Sequence, residues 1–218
     1  MTDDGLYKKL SGYDLIVFDM DGTLYYQRGM QINMAFRLIG HALFEGGLKD
    51  LRLILKYRKL REDWDASKKM NDEDLYASLS EETGKAKEDI RQTIRTWMFE
   101  KPMDVVSKCR DEKLVKVIEQ LISDGKQVCI YSDYPTEDKV RAVGLPSGIP
   151  QYYCGQEDIR TMKPNPSGLF YIMSRYPSVL KDKVIMVGDR ADRDGAVADN
   201  AGTASLIVGR FRLLRYLF

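Results

Sequence analysis

The chain has 218 residues, of which 44% are hydrophobic and 31% charged, with a formal net charge of +1. That length builds one full core with room for a smaller second unit, and the composition is that of a globular protein rather than a disordered one. A charge so close to zero supplies no global field for nucleic acid or an anionic membrane.

The cysteines and the histidine narrow the chemistry further. Cys109, Cys129 and Cys154 are odd in number, far apart and never paired as Cys-x-x-Cys, which predicts reduced, mostly buried thiols rather than a disulfide framework or a zinc knuckle. His41 is the one histidine and lies among apolar residues, which predicts a packing or hydrogen-bonding role and takes histidine-based triads and zinc sites out of consideration. Proton transfer then falls to carboxylates. The acidic start and the lack of any apolar run of membrane-spanning length predict a cytoplasmic chain with no membrane partner.

The first strong signal is residues 15–18, an apolar run without polar alternation that follows Asp14, which predicts a strand over 14–18 covered on both faces as in a parallel sheet. It stops at Asp19-Met20-Asp21-Gly22, and ligands of open α/β sheets bind beyond the carboxyl ends of strands. Two carboxylates this close repel unless a cation or a shared proton separates them, and an oxygen-rich pocket suits a hard divalent ion. Asp and Gly are equally the residues of an ordinary turn.

From residue 25 to about 103 the texture is helical and charged, with predicted helices over residues 30–44, 48–60, 72–83 and 87–100. Gly46-Gly47 separates the first two, Asn71 caps the third, Gly84 closes it, and Pro102 follows the fourth. From about Asp111 onward strands and helices alternate: helix 111–123, strand 127–131, helix 136–143, strand 152–154, helix 166–175, strand 184–187, helix 192–200 and strand 204–208. That alternation predicts a parallel sheet with right-handed crossovers, and the helical block reads as an insertion after the first strand.

Three further polar sites follow predicted strands or occupy the loops between them. Ser132 ends the second strand, where a hydroxyl and free N–H groups suit a phosphate, although Ser-Asp-Tyr-Pro is also a plain turn sequence. Lys163 stands before Pro164 in a stiffened loop, where an ammonium acts as a point charge for phosphate. Gly188, Asp189 and Asp194 follow the fourth strand, with Asp189 repeating the position of Asp19 on the first.

Taken in this order the four sites resemble the motifs of the haloacid dehalogenase-like superfamily. Asp19 to Thr23 match its Asp-x-Asp-Gly-Thr motif, Ser132 the hydroxyl residue of the second, Lys163 the lysine of the third, and Gly188, Asp189 and Asp194 the Gly-Asp-x-x-x-x-Asp form of the fourth. One position departs: Asp133 stands where many relatives have Asn. The resemblance implies an α/β, Rossmann-like parallel sheet core over residues 1–22 and 105–218, with a helical cap domain inserted over residues 23–104.

For chemistry, the resemblance implies a magnesium-dependent phosphatase acting on a small phosphorylated metabolite. Asp19 is then the nucleophile that becomes an aspartyl phosphate, and Asp21 the acid and base, protonated when substrate arrives. Mg2+ is held by Asp19, the Asp21 carbonyl and Asp189; Ser132 and Lys163 hold the phosphate; Asp194 orients Lys163 or a metal-bound water. Dehalogenating relatives lack the second acid. A phosphosugar mutase keeps both and remains an alternative, as does a catalytically idle module that binds a phosphometabolite or a protein. The implied cap sets substrate choice by closing over the site. Tyr25, Tyr26, Gln27 and Arg28 either line its entrance or pack as a hinge. Lys49, Arg52, Lys56, Arg58, Lys59 and Arg61 predict a solvated basic face beside an apolar Leu48, Leu51 and Leu55 stripe, with anion steering or lipid binding as the sharper alternative. The run 211–218 docks on the core or makes a dimer contact, so the chain is expected as a monomer or homodimer.

Overall fold

The computed structural model of the protein describes residues 3–44, 48–63 and 71–208. The Gly46-Gly47 break and the run 211–218 lie outside those residues.

Five strands, β1 (Leu15–Phe18), β2 (Gln127–Ser132), β3 (Gln151–Tyr153), β4 (Val184–Gly188) and β5 (Ala204–Ile207), form one parallel sheet in the order β3-β2-β1-β4-β5. The α/β, Rossmann-like core predicted from the alternation is therefore present. β1 lies at its centre, and the lack of polar alternation in Leu-Ile-Val-Phe has its cause there: all four side chains are buried, with Leu15 and Val17 on one face and Ile16 and Phe18 on the other.

One face is covered by α1 (Asp3–Leu10), α7 (Glu112–Ser123) and α8 (Glu137–Val143), which bury Leu10, Leu114, Ile118, Leu121 and Val140 against Ile16 and Phe18. The other carries α9 (Ser167–Ser174) and α10 (Ala196–Ala201), whose Leu169, Ile172, Val197 and Ala201 meet Leu15 and Val17. Asp111 begins α7 as a cap, its carboxylate accepting from the Lys113 and Leu114 N–H groups. The predicted helix over 192–200 is instead a wider π-type turn, Ala191–Gly195, leading into α10; Gly195 N reaches back to Arg190 O at 3.2 Å. The sequence reading did not contain α1.

The block after β1 is helical: α2 (Gln27–Phe44), α3 (Leu48–Glu62), α4 (Asp72–Thr83) and α5 (Lys87–Ile94), then a π-type segment Arg95–Glu100 and α6 (Met103–Lys108). Asn71 Oδ1 accepts from Glu73 N, and Gly84 closes α4 in the left-handed conformation at φ 69°. The predicted single helix 87–100 changes pitch at Arg95, where Lys101 N bonds Thr96 O at 2.9 Å. This block has an apolar centre of its own, including Met34, Leu38, Leu53, Ile54, Leu79, Ile90 and Trp97. His41 packs there, its ring 4.8 Å from Trp97 and its Nε2 3.2 Å from Asp50 Oδ2.

The basic helix α3 differs from its expected pattern. Its inward face is Leu53, Ile54, Tyr57 and Arg61, whereas Leu48 and Leu55 are exposed, so the predicted leucine stripe is not the packed one. Arg61 is fully buried: its guanidinium meets Asp72 Oδ1 at 2.6 Å, Tyr57 Oη at 2.9 Å and the Asp133 carbonyl at 2.9 Å, and lies 4.8 Å above the Tyr134 ring. One side chain thus joins the helical block to the end of β2. Arg61→Ala is expected to lower unfolding free energy by about 3 kcal/mol, because it opens a cavity and strips a buried cation from its partners, a loss readable by urea denaturation.

Candidate active site

The sheet register assembles the site. Phe18 pairs with Ile130 on one side and Val187 on the other, so Asp19, Ser132 and Asp189 emerge from three adjacent strand ends at the same edge. Asp19 N continues the ladder to Val187 O at 2.8 Å, which fixes its backbone before the chain turns.

Asp19 and Lys163 are both buried, and Lys163 Nζ donates to Asp19 Oδ1 and to Asp194 Oδ1, each at 2.6 Å. Thr23 Oγ1 donates to the other Asp19 oxygen at 2.9 Å. Burial pushes the Asp19 carboxyl up, and although Lys163 pulls it back, the neighbouring carboxylates Asp194 and Asp21 keep it raised, to about 8. Burial alone would depress the Lys163 ammonium, but Asp19 and Asp194 hold it well above its ordinary value, so it stays charged. The second oxygen of Asp194 accepts from Arg190 N at 3.0 Å.

Asp133 has a defined place. Its Oδ1 accepts from Lys163 N at 3.0 Å, and Arg193 donates to the Lys163 carbonyl at 2.8 Å, so both backbone polar groups of Lys163 are clamped. An amide oxygen at position 133 accepts that bond equally well, which removes the difficulty raised by Asp in place of Asn.

Asp21 sits across the cleft from Asp19. Lys139 Nζ meets its two carboxylate oxygens at 2.7 and 2.8 Å, the Tyr25 hydroxyl donates to Oδ1, and Ser132 Oγ lies 3.4 Å from Oδ2. Burial raises the Asp21 carboxyl, but the charge and hydrogen bonds of Lys139, joined by Tyr25, outweigh it and leave the pKa lowered. That lowering favours the ionised form of Asp21 while Lys139 and Tyr25 hold it. Lys139 was not among the expected residues. Its neighbours in the Glu137–Val143 helix carry charges at ordinary surface spacing, and only the fold brings it to Asp21, 118 positions away. Tyr25, one of the residues expected at an entrance or hinge, is buried with its hydroxyl in the site, and Tyr26 Oη donates to Asp111 at 3.2 Å.

Carboxylate oxygens of Asp19, Asp189 and Asp194, one from each, lie within 4.8 Å of one another. Such an all-oxygen, multiply acidic donor set suits a hard divalent cation. The space for it is built in: Gly22 has φ +93°, and a Cβ there would stand 2.6 Å from Asp189 Oδ2. Asp194 already binds Lys163 and Arg190 N, and Asp19 holds Lys163 and Thr23, so a metal here would share carboxylate oxygens with these donors. The Asp21 side chain is committed to Lys139 and Tyr25, which leaves its main-chain carbonyl as the atom it offers.

These groups line a cleft of about 220 Å³, with Ser132, Lys163 and the acidic residues at its floor and Gln27, Gln31, Arg58 and Glu62 from α2 and α3 on the opposite wall. No helix among the described residues is long and apolar enough to cross a membrane.

Residues 13–202 match the model of the haloacid dehalogenase-like hydrolase family. None of the curated proteins matches the chain in sequence. Among solved structures the fold is similar to the HAD-hydrolase YfnB from Bacillus subtilis bound to magnesium, at 14% identity and a TM-score of 0.60 over 90% of this chain and 88% of that one. It is similar to 2-haloacid dehalogenase from Pseudomonas syringae pv. Tomato DC3000, at 21% identity and a TM-score of 0.62 over 89% and 86%. It is also similar to a HAD phosphatase from Thermococcus onnurineus, at 17% identity and a TM-score of 0.54 over 93% and 89%. Identities this low carry the likeness of fold alone. The family match spans most of the chain and the motif residues meet at one strand edge, so the protein belongs to the haloacid dehalogenase-like hydrolases.

Proposed function

We propose that the protein is a magnesium-dependent phosphatase that hydrolyses a small phosphomonoester through an aspartyl phosphate on Asp19, with the helical block over residues 23–104 as its cap. The observation that carries this reading is the second carboxylate: Asp21 faces the same cleft as Asp19 and is held on Lys139, Tyr25 and Ser132. Carbon–halogen cleavage releases halide and needs no acid for its leaving group; an alkoxide does need one.

Asp19 attacks phosphorus with the oxygen not held by Thr23. Lys163 and the Ser132 hydroxyl hold the phosphoryl oxygens, and Lys163 offsets charge as the transition state spreads it over them. The arriving phosphate places negative charge beside Asp21 and shares the hydrogen bonds of Lys139, which raises the Asp21 pKa and lets it take up a proton. Asp21 gives that proton to the leaving oxygen, then takes one from the water that opens the aspartyl phosphate. Asp19, Asp189 and the Asp21 carbonyl would hold magnesium, which would offset charge on the phosphate oxygens and so make phosphorus more electrophilic.

The test is phosphate release from p-nitrophenyl phosphate, expected with magnesium and lost on chelation, alongside chloride release from 2-chloropropionate, expected to be absent. Chloride release without phosphate release would overturn the assignment in favour of dehalogenation.

A further inference from the structure

The wall of the cleft opposite the nucleophile reads as a recognition surface for the leaving group, an inference that rests on the phosphatase reading. Gln27 and Gln31 stand one turn apart on α2, and Arg58 and Glu62 one turn apart on α3, so each helix turns an i,i+4 pair of planar polar side chains toward the cavity. Neither glutamine side chain has a hydrogen bond to another described residue. Arg58 and Glu62 approach only to 3.7 Å, an ion pair too long to use up their donors and acceptors. At the side of the cleft the Tyr134 hydroxyl is buried without a hydrogen-bond partner among the described residues, while Arg61 and Lys139 lie over its ring. A buried hydroxyl left unpaired costs free energy, which a ligand group bonding it recovers.

The charges restrict what fits. Arg58 and Glu62 cancel, so this wall has no net charge. The other arginines of the lining are engaged elsewhere: Arg190 pairs with Asp192, and Arg193 holds the Lys163 carbonyl and approaches Asp133 at 3.7 Å. A leaving group with a carboxylate would meet Glu62 without an uncommitted cation in surplus, and one with an ammonium would meet Arg58. Of the lining residues only Met162 is aliphatic in character, so a lipid or aryl group finds little apolar surface. At about 220 Å³ the cleft is smaller than the usual pocket for a nucleotide-sized ligand. Amide, guanidinium and carboxylate groups each present two coplanar hydrogen-bonding atoms, the geometry that engages neighbouring hydroxyls two at a time.

We propose that the leaving group is a neutral polyol, a sugar or sugar alcohol of pentose to hexose size, held by Gln27, Gln31, Arg58, Glu62 and the Tyr134 hydroxyl. With the magnesium-loaded protein, kcat/KM is compared for a ribose monophosphate, a hexose monophosphate, phosphoglycolate, phosphoethanolamine, AMP and p-nitrophenyl phosphate. A sugar phosphate is expected to exceed each of the others by about tenfold or more. In Gln31→Leu and Glu62→Leu, the ratio of sugar-phosphate to aryl-phosphate kcat/KM is expected to fall about tenfold, since each removes bonds that only the polyol makes. Preference for phosphoglycolate, phosphoethanolamine or AMP overturns the inference while leaving the phosphatase in place, as does a ratio unmoved by both substitutions. Absence of phosphate release from every substrate, the aryl ester included, removes the phosphatase reading and this inference with it.

Discussion

Asp19→Asn is expected to abolish phosphate release, by roughly four orders of magnitude in kcat, without weakening the fold. The amide keeps the shape of the carboxylate, and its oxygen still accepts from Thr23 Oγ1 or Lys163 Nζ, the two donors that hold Asp19 now. What it loses is the anionic oxygen that attacks phosphorus in the proposed reaction. Burial pushes the Asp19 carboxyl up to about 8, so the folded chain gains little from having a charge at this position. A neutral side chain relieves that desolvation, and the unfolding midpoint without metal is expected to stay level or rise. Phosphate assay and denaturation on the same preparation check both halves. Residual turnover within tenfold of the parent would end the nucleophile assignment, and a large fall in stability would mean that activity was lost through the fold.

Lys163→Met has the opposite signature, losing activity and stability together. One ammonium, nearly sealed from solvent, is shared by Asp19 and Asp194 at 2.6 Å each. Without it Asp194 loses its cation in a buried place and the Asp19 carboxyl is pushed up further, and the metal-free protein is expected to lose about 3–5 kcal/mol. Activity is expected to drop by about 10³-fold, the effect of removing a charge aimed at the transferring group. Magnesium held as proposed would supply positive charge to the same cluster, so the stability it adds is expected to be larger in the variant than in the parent. Denaturation curves with and without magnesium read this directly; equal stabilisation in the two proteins would show that the lysine and the metal do not serve the same carboxylates.

The two variants expose how the site is built. Its floor alternates in sign, from Asp194 through Lys163 to Asp19, and from Lys139 to Asp21, with Asp189 beyond. Asp19 and Asp21 each meet a lysine brought from a different crossover: Lys163, shared with Asp194, from the loop before α9, and Lys139 from α8. The two lysines offset two of the four carboxylates at the floor, so the metal-free site stays acidic.

The sequence by itself determined the strands, their order of use and the polar residues at their ends. A run such as Leu15 to Phe18 is uniformly apolar because both sheet faces cover it, and the first polar residues after it mark where that cover stops. Asp19, Ser132 and Asp189 were legible for that reason, Lys163 from its place in a proline-stiffened loop, and the caps Asn71 and Gly84 because their chemistry is satisfied within a few residues. Only the tertiary structure decided Lys139, Arg61 and the Gln27 and Gln31 wall. Locally, Lys139 and Arg61 are charges on polar helices, and nothing in their periodicity separates them from solvated neighbours. They are buried because partners remote in sequence, Asp21 for one and the Asp133 carbonyl for the other, offer opposite charge where water is excluded. Such pairings belong to the packing of elements rather than to any segment, so no local pattern records them.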